Sequence, residues 1–308
     1  MSNWFLIAAA APLLWSITNH IDKFMLAKCL QRRGVGALVI FSALSSILVL
    51  PFIAYFKFEE VSAISKDSLL LLFFLGFLSA AGLYLYLTAL EDEETSIVIP
   101  LFQLIPVFGY LLSYFILGET LTRSQMLSSL LVTFGVILLS LEFREGRRIQ
   151  LKGRILMLVV SSSVMFALYD VLFKKVAVAE SFWGSVFWQY VSLTFAGILL
   201  FLAVRKFRGE FLTMLRSMGG KLLSLSVASE LLYTLGSWLH SFATLLAPVA
   251  LVLVVSGCQP LFVFIGGVLL TFFLPNIAKE NISAGHLLHK LISIAIITAG
   301  NYFLYTSL

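Results

Sequence analysis

The chain has 308 residues, of which 60% are apolar and only 12% charged, and a formal net charge of +5. Such a balance lies far outside that of soluble domains. Its Lys and Arg residues sit beside apolar runs, which points to loops facing lipid headgroups rather than to nucleic acid.

Runs of roughly 18 or more apolar residues are long enough to cross a bilayer as helices. Ten such runs are expected, at 3–20, 36–56, 68–90, 95–117, 124–142, 154–173, 183–204, 220–243, 247–273 and 285–306. Most of the chain then lies in the membrane, with no room for a soluble catalytic domain. The first run follows only Met1-Ser2-Asn3, without a basic n-region or a small-residue cleavage site, so it reads as a retained helix rather than a cleaved signal peptide. It carries a polar stripe of Pro12, Trp15 or Ser16, Asn19, Asp22 and Lys23. Cys29 falls in the following loop and Cys258 within the ninth run, so no disulfide between them is expected.

The second run opens at Gly36, and the third holds Gly82, Tyr84 and Tyr86. A short acidic turn, Glu91-Asp92-Glu93-Glu94, makes the third and fourth helices antiparallel neighbours. The fourth presents Pro100, Gln103, Tyr110 and Ser113 on one face, and its Pro106 interrupts the backbone ladder at mid-membrane. After the fifth run comes the one long polar stretch near the middle, Glu142 to Gln150. It divides the chain into a five-helix unit at 1–142, a basic linker at 143–153 and a second five-helix unit at 154–308.

The sixth run repeats the first. Trp15 to Lys23 aligns with Phe166 to Lys174, placing Asn19 on Asp170 and Lys on Lys. Gly82, Tyr84 and Tyr86 match Gly236, Trp238 and His240 at an offset of 154, and Pro106 matches Pro260 at the same offset. An odd number of spans in each half forces the halves to enter the membrane with opposite orientation. The expected fold is therefore an all-α membrane protein of ten transmembrane helices, arranged as two inverted five-helix repeats around a central cavity. The last loop breaks the symmetry: Pro275 to Ser283 has no counterpart of Gly118-Glu119.

Lys and Arg divide sixteen to five between the two sets of loops, which puts the loops after odd-numbered helices in the cytoplasm and both termini outside.

A strongly polar side chain inside a span is costly and marks a pathway or a site by default. On the eighth run Ser226, Glu230, Tyr233, Ser237 and either His240 or Ser241 recur at helical spacing, so this face looks into the bundle. Glu230 reads either as a functional carboxyl or as a group that glues two helices. The ninth run offers Ser256, Gln259 and Gly266 on one face. The candidate cargo-facing residues are Trp15, Asn19, Tyr84, Gln103, Asp170, Glu230, Trp238, His240 and Gln259. Glu230 and Asp170 would serve as cargo or proton sites, the amides would orient cargo, and the aromatics would form walls. Zinc-binding His-Glu-x-x-His, a Gly-x-Ser-x-Gly elbow and a phosphate-cradling Gly-x-x-x-x-Gly-Lys loop are all missing, so neither an enzyme nor a metal or cofactor is expected.

Two five-helix copies, a Trp-containing first span ending in Asn19-x-x-x-Lys23, and Leu117-Gly118-Glu119-Thr120-Leu121-Thr122 before a Gly135-Val136-Ile137-Leu138 helix together resemble the drug/metabolite transporter superfamily, more narrowly its EamA-like ten-helix members. The resemblance implies a basket in which spans one, three, four, six, eight and nine enclose the cavity while five and ten lie at the periphery. It also implies termini inside, against the charge count, which is retained here. The expected function is alternating-access transport or efflux of a small organic metabolite, cationic or zwitterionic such as an amine or amino acid, across the cytoplasmic membrane. A non-transporting membrane partner or a lipid-carrier flippase subunit is the alternative.

Overall fold

A computed structural model describes residues 4–29, 34–92, 98, 101–140, 153–273 and 284–307, with residues 22–29 and 284–287 described by backbone alone. All regular elements among these residues are helices. In the first half they are α1 (Trp4–Cys29), α2 (Val35–Ser45), α3 (Leu50–Phe56), α4 (Phe58–Ser62), α5 (Lys66–Asp92), α6 (Leu104–Leu117) and α7 (Arg123–Ser140). The second half contributes α8 (Gly153–Ala179), α9 (Phe182–Ala203), α10 (Arg205–Ser217), α11 (Gly220–Leu246), α12 (Val249–Ser256), α13 (Gln259–Phe273) and α14 (Ala284–Thr306). Eight stretches among the described residues are long and apolar enough to cross a membrane, and α6 is apolar but shorter.

Proline sets the breaks. The second apolar run is not one helix: it passes through a 3-10 turn at Ser46–Leu48 before Pro51, whose ring and missing N–H disrupt an α-helical ladder. The fourth run is broken by a turn at Phe102-Gln103, with Leu101 helical before it and α6 beginning at Leu104, just before Pro106, and the ninth is split at Gly257-Cys258, just before Pro260. Both interruptions expected from these prolines are present. The connection from α9 to α11, expected as a loop, contains the helix α10, because Phe207, Phe211 and Met214 fall on one face and pack against α2.

Close helix contacts rest on small residues. α7 and α14 pair along Gly135 and Gly300, where an added Cβ would meet Ile297 Cγ1 at 2.8 Å or Val132 Cγ2 at 2.7 Å. Ser192 of α9 donates a hydrogen bond to the Phe73 carbonyl of α5, directly over Gly76. α1 packs on α11 and α13, α8 packs on α5 and α6, and α12, buried throughout, packs on α6. The linker residues 143–152, Glu93-Glu94 and the Pro275–Ser283 loop lie outside the described residues, as do the side chains of Asp22, Lys23 and Cys29.

Candidate functional site

Three polar side chains from three helices meet in the bundle. Asp170 of α8, His240 of α11 and Ser256, the last residue of α12, are each less than 9% exposed. His240 lies between the other two, with Nε2 3.1 Å from Asp170 Oδ1 and Nδ1 2.8 Å from Ser256 Oγ. A carboxylate only accepts, so Nε2 donates to Asp170. Nδ1 then accepts from the Ser256 hydroxyl in the neutral ring and donates to it in the imidazolium. Both ring nitrogens of this buried imidazole are thus hydrogen-bonded.

Trp15 of α1 covers this trio. Its indole stands 5.6 Å from the His240 ring, stacks on Tyr233 at 5.8 Å, and donates from Nε1 to the Tyr233 carbonyl at 3.2 Å. Gly236 makes room for it, since a Cβ there would come within 2.7 Å of the indole nitrogen. Tyr233 is 46% exposed despite this stack, so its ring faces open space beside the buried trio.

Gln103, buried where the fourth run breaks, donates through Nε2 to the Gly257 carbonyl at 3.3 Å, next in chain to Ser256. The two interrupted segments therefore touch at their interruptions, at positions 154 apart.

Glu230 belongs to a separate polar centre. Ser42 and Ser45 of α2 donate to its Oε2 at 3.4 and 3.2 Å. Ten residues separate it from His240 on α11, about 15 Å at the helical rise. The remaining candidates disperse. Tyr84 packs on Phe207 at 5.6 Å, and Trp238 meets Trp183 edge-on at 5.2 Å within an aromatic cluster against α9. Asn19 is exposed on α1, while its neighbour His20 turns to α13, with Nε2 3.1 Å from the Val263 carbonyl. Gln259 is half-buried at the first residue of α13.

A second cluster lies toward the end of α8. Lys174 Nζ is 2.5 Å from Glu119 Oε1 and donates to the Ala247 carbonyl at 2.8 Å. Glu119 Oε2 accepts from the Val249 amide at 2.8 Å, so this carboxylate caps α12 and complements its N-terminal dipole. Gly118 aims Glu119 there. It ends α6 in the left-handed region at φ 69°, with the Gly118 and Glu119 amides returning to the Tyr114 and Ser113 carbonyls. Sequence reading noted the Gly-Glu turn but missed its partner, because Glu119 and Lys174 are 55 positions apart. Among the described residues no group of three or more His, Cys, Asp or Glu side chains gathers as metal ligands.

Residues 2–141 match the family model described as the EamA-like transporter family. A relative from Salmonella typhimurium named "Probable amino-acid metabolite efflux pump" is 30% identical over 158 residues, 48% of this chain and 52% of that protein. The match thus spans about half the length of that curated relative. These two matches support membership of the drug/metabolite transporter superfamily. A crystal structure of a protein with 16% identity covers 98% of this chain and 95% of its own, with a TM-score of 0.70, which speaks for a shared fold alone.

Proposed function

We propose that the chain is a secondary active transporter that moves a small amino-acid-like metabolite out of the cell by alternating access. One observation carries the reading. Asp170, His240 and Ser256 form a buried hydrogen-bonded trio of ionisable and hydroxyl groups at a helix break, under an aromatic wall of Trp15 and Tyr233. Polar groups at membrane depth beside interrupted helices are how secondary transporters hold cargo and coupling ions. Aromatic faces beside a carboxylate suit an ammonium group, and the relative's name points to amino-acid metabolites.

Ten membrane segments in two inverted repeats, 1–142 and 154–308, belong to this proposal. Helix packing supports it: exchanging the halves turns α1 on α11 into α8 on α5, and α13 on α1 into α6 on α8. The contact of Gln103 with Gly257 is what a pseudo-twofold axis near both breaks would produce.

Uptake of labelled amino acids and amines into proteoliposomes, with and without an imposed pH gradient, tests the reading. Asp170→Asn and His240→Gln are expected to lower the rate about tenfold or more, since hydrogen bonds to charged groups are worth about 1.5–3 kcal/mol. Wild-type rates and wild-type pH dependence in both variants would leave the trio as helix glue. The lipid-carrier alternative draws on an apolar groove of about 340 Å³ between α1, α13 and α14, lined by Phe5, Leu261, Thr298 and Tyr305 among others. Lipid scrambling in the same vesicles, with no saturable solute uptake, would favour it.

A further inference from the structure

The connection between α9 and α11 has an arrangement that cargo movement does not require. α10 is a discrete helix, set apart by extended backbone at Val204 and Met218. Its apolar residues recur at helical spacing, and Phe211 and Met214 are buried against Ala37 and Ile40 of α2. Phe207 is pressed closest: a Cβ on Gly36 would lie 2.2 Å from its ring, and its other neighbour is Tyr84 of α5. The helix is thereby held against the start of α2.

The rest of its surface is basic. Arg205, Lys206 and Arg216 are exposed and Arg208 is half-buried, and Lys221, just beyond at the start of α11, is exposed as well. The stretch 205–221 contains a single acid, Glu210, which lies 3.9 Å from Lys206. Leu202 and Leu212, 64% and 36% exposed, add apolar surface beside these cations.

The position of α10 along the bundle follows from α9. One end of α9 lies against α4, where a Cβ on Gly184 would come within 2.5 Å of the Glu60 carbonyl, and its other end leads into α10. The 22 residues of α9 separate these ends by about 33 Å, the thickness of a hydrocarbon core. Around α4 the charge has the opposite sign, with Glu59, Glu60 and Glu180 bordering one shallow pocket. The hydroxyls of Ser65 and Ser68 hold the Glu180 carboxyl below its usual range.

We infer that α10 lies in the membrane–water interface and that Arg205, Lys206, Arg208 and Arg216, with Lys221 at the start of α11, bind the headgroups of anionic phospholipids. Charge complementarity selects this occupant. A helix seated by one face on a membrane-spanning helix, at the level where that helix begins, presents its cations at headgroup depth. Bound lipid would keep Phe207 in its seat on Gly36 and Tyr84. Tyr84 then supports the interfacial helix rather than forming a cargo wall. The inference is independent of transport.

The test uses full-length protein in nanodiscs of phosphatidylcholine alone or mixed equally with phosphatidylglycerol. A fluorophore is placed by Thr213→Cys in a background with Cys29 and Cys258 replaced, and headgroup-level quenching and thermal midpoint are read together. Phosphatidylglycerol is expected to raise the midpoint and deepen quenching, and high salt to reverse both. The triple variant Lys206→Gln, Arg216→Gln, Lys221→Gln, all exposed positions, should fold in phosphatidylcholine and lose most of the response to phosphatidylglycerol. An undiminished response in that variant, or one reproduced by inorganic phosphate without anionic lipid, would overturn the assignment.

Discussion

At the scale of single residues, the buried trio depends on an imidazole held between a carboxylate and a hydroxyl. Replacing either neighbour leaves one ring nitrogen buried without its partner, at about 1–3 kcal/mol. Gly236 is the less obvious dependency. Its missing side chain lets the Trp15 indole lie against α11 and over His240. Gly236→Ala is expected to cost about 1–3 kcal/mol by overpacking and to shift tryptophan emission as the stack on Tyr233 opens. It should also weaken transport of the preferred cargo more than the structural loss alone explains. Unchanged emission together with an unchanged thermal midpoint would show that the indole does not need this glycine.

At the scale of elements, Glu119 and Lys174 tie the end of α6, the C-terminal part of α8 and the start of α12 together. The position 154 beyond Glu119 is Phe273, 78% exposed, so no carboxylate stands at that position among the described residues. One end of the bundle carries this clamp, and the conformational equilibrium is expected to lean toward closure at that end. Glu119→Gln and Lys174→Met should each destabilise the protein, because each strands a partner of a largely buried pair. The double variant should cost less than the sum of the singles, with a coupling of about 0.5–3 kcal/mol in thermal or denaturant unfolding. Strict additivity would refute the clamp.

At the scale of the whole molecule, the surroundings of α10 and α4 differ in charge. α10 brings a basic surface to one end, and at the other Glu59, Glu60 and Glu180 form a local acidic patch, with Lys57 paired to Glu60. If the bias of Lys and Arg toward cytoplasmic loops holds for this chain, α10 lies inside and α4 outside. A cysteine at Lys66, just before α5, is expected to react with a membrane-impermeant thiol reagent in intact cells. One at Lys206 is expected to react only after permeabilisation. The reversed pattern would show that the termini-inside arrangement implied by the family resemblance governs this chain.

Hydropathy and proline are properties of short stretches, so the membrane class, the apolar segments and the interruptions before Pro106 and Pro260 were all legible in the sequence. Asp170 and His240 stood out for a similarly local reason, as costly polar groups within apolar runs. Their pairing did not. Whether His240 turns to Asp170 and Ser256, or Glu230 to Ser42 and Ser45, depends on the rotation of each helix about its axis and on which neighbour it packs against. A polar stripe names a face without naming what lies opposite. The same gap hid the Glu119–Lys174 clamp, moved Tyr84 and Trp238 into contacts with Phe207 and Trp183, and left Asn19 exposed. It also hid α10, whose thirteen residues are too polar for a hydropathy window and become a buried helix face only because α2 offers Gly36, Ala37 and Ile40 as a floor. The sequence by itself determined the apolar segments and the breaks before Pro106 and Pro260. Tertiary structure decided which polar groups meet, because those meetings join residues from sixteen to more than two hundred positions apart, across helix faces that no single segment specifies.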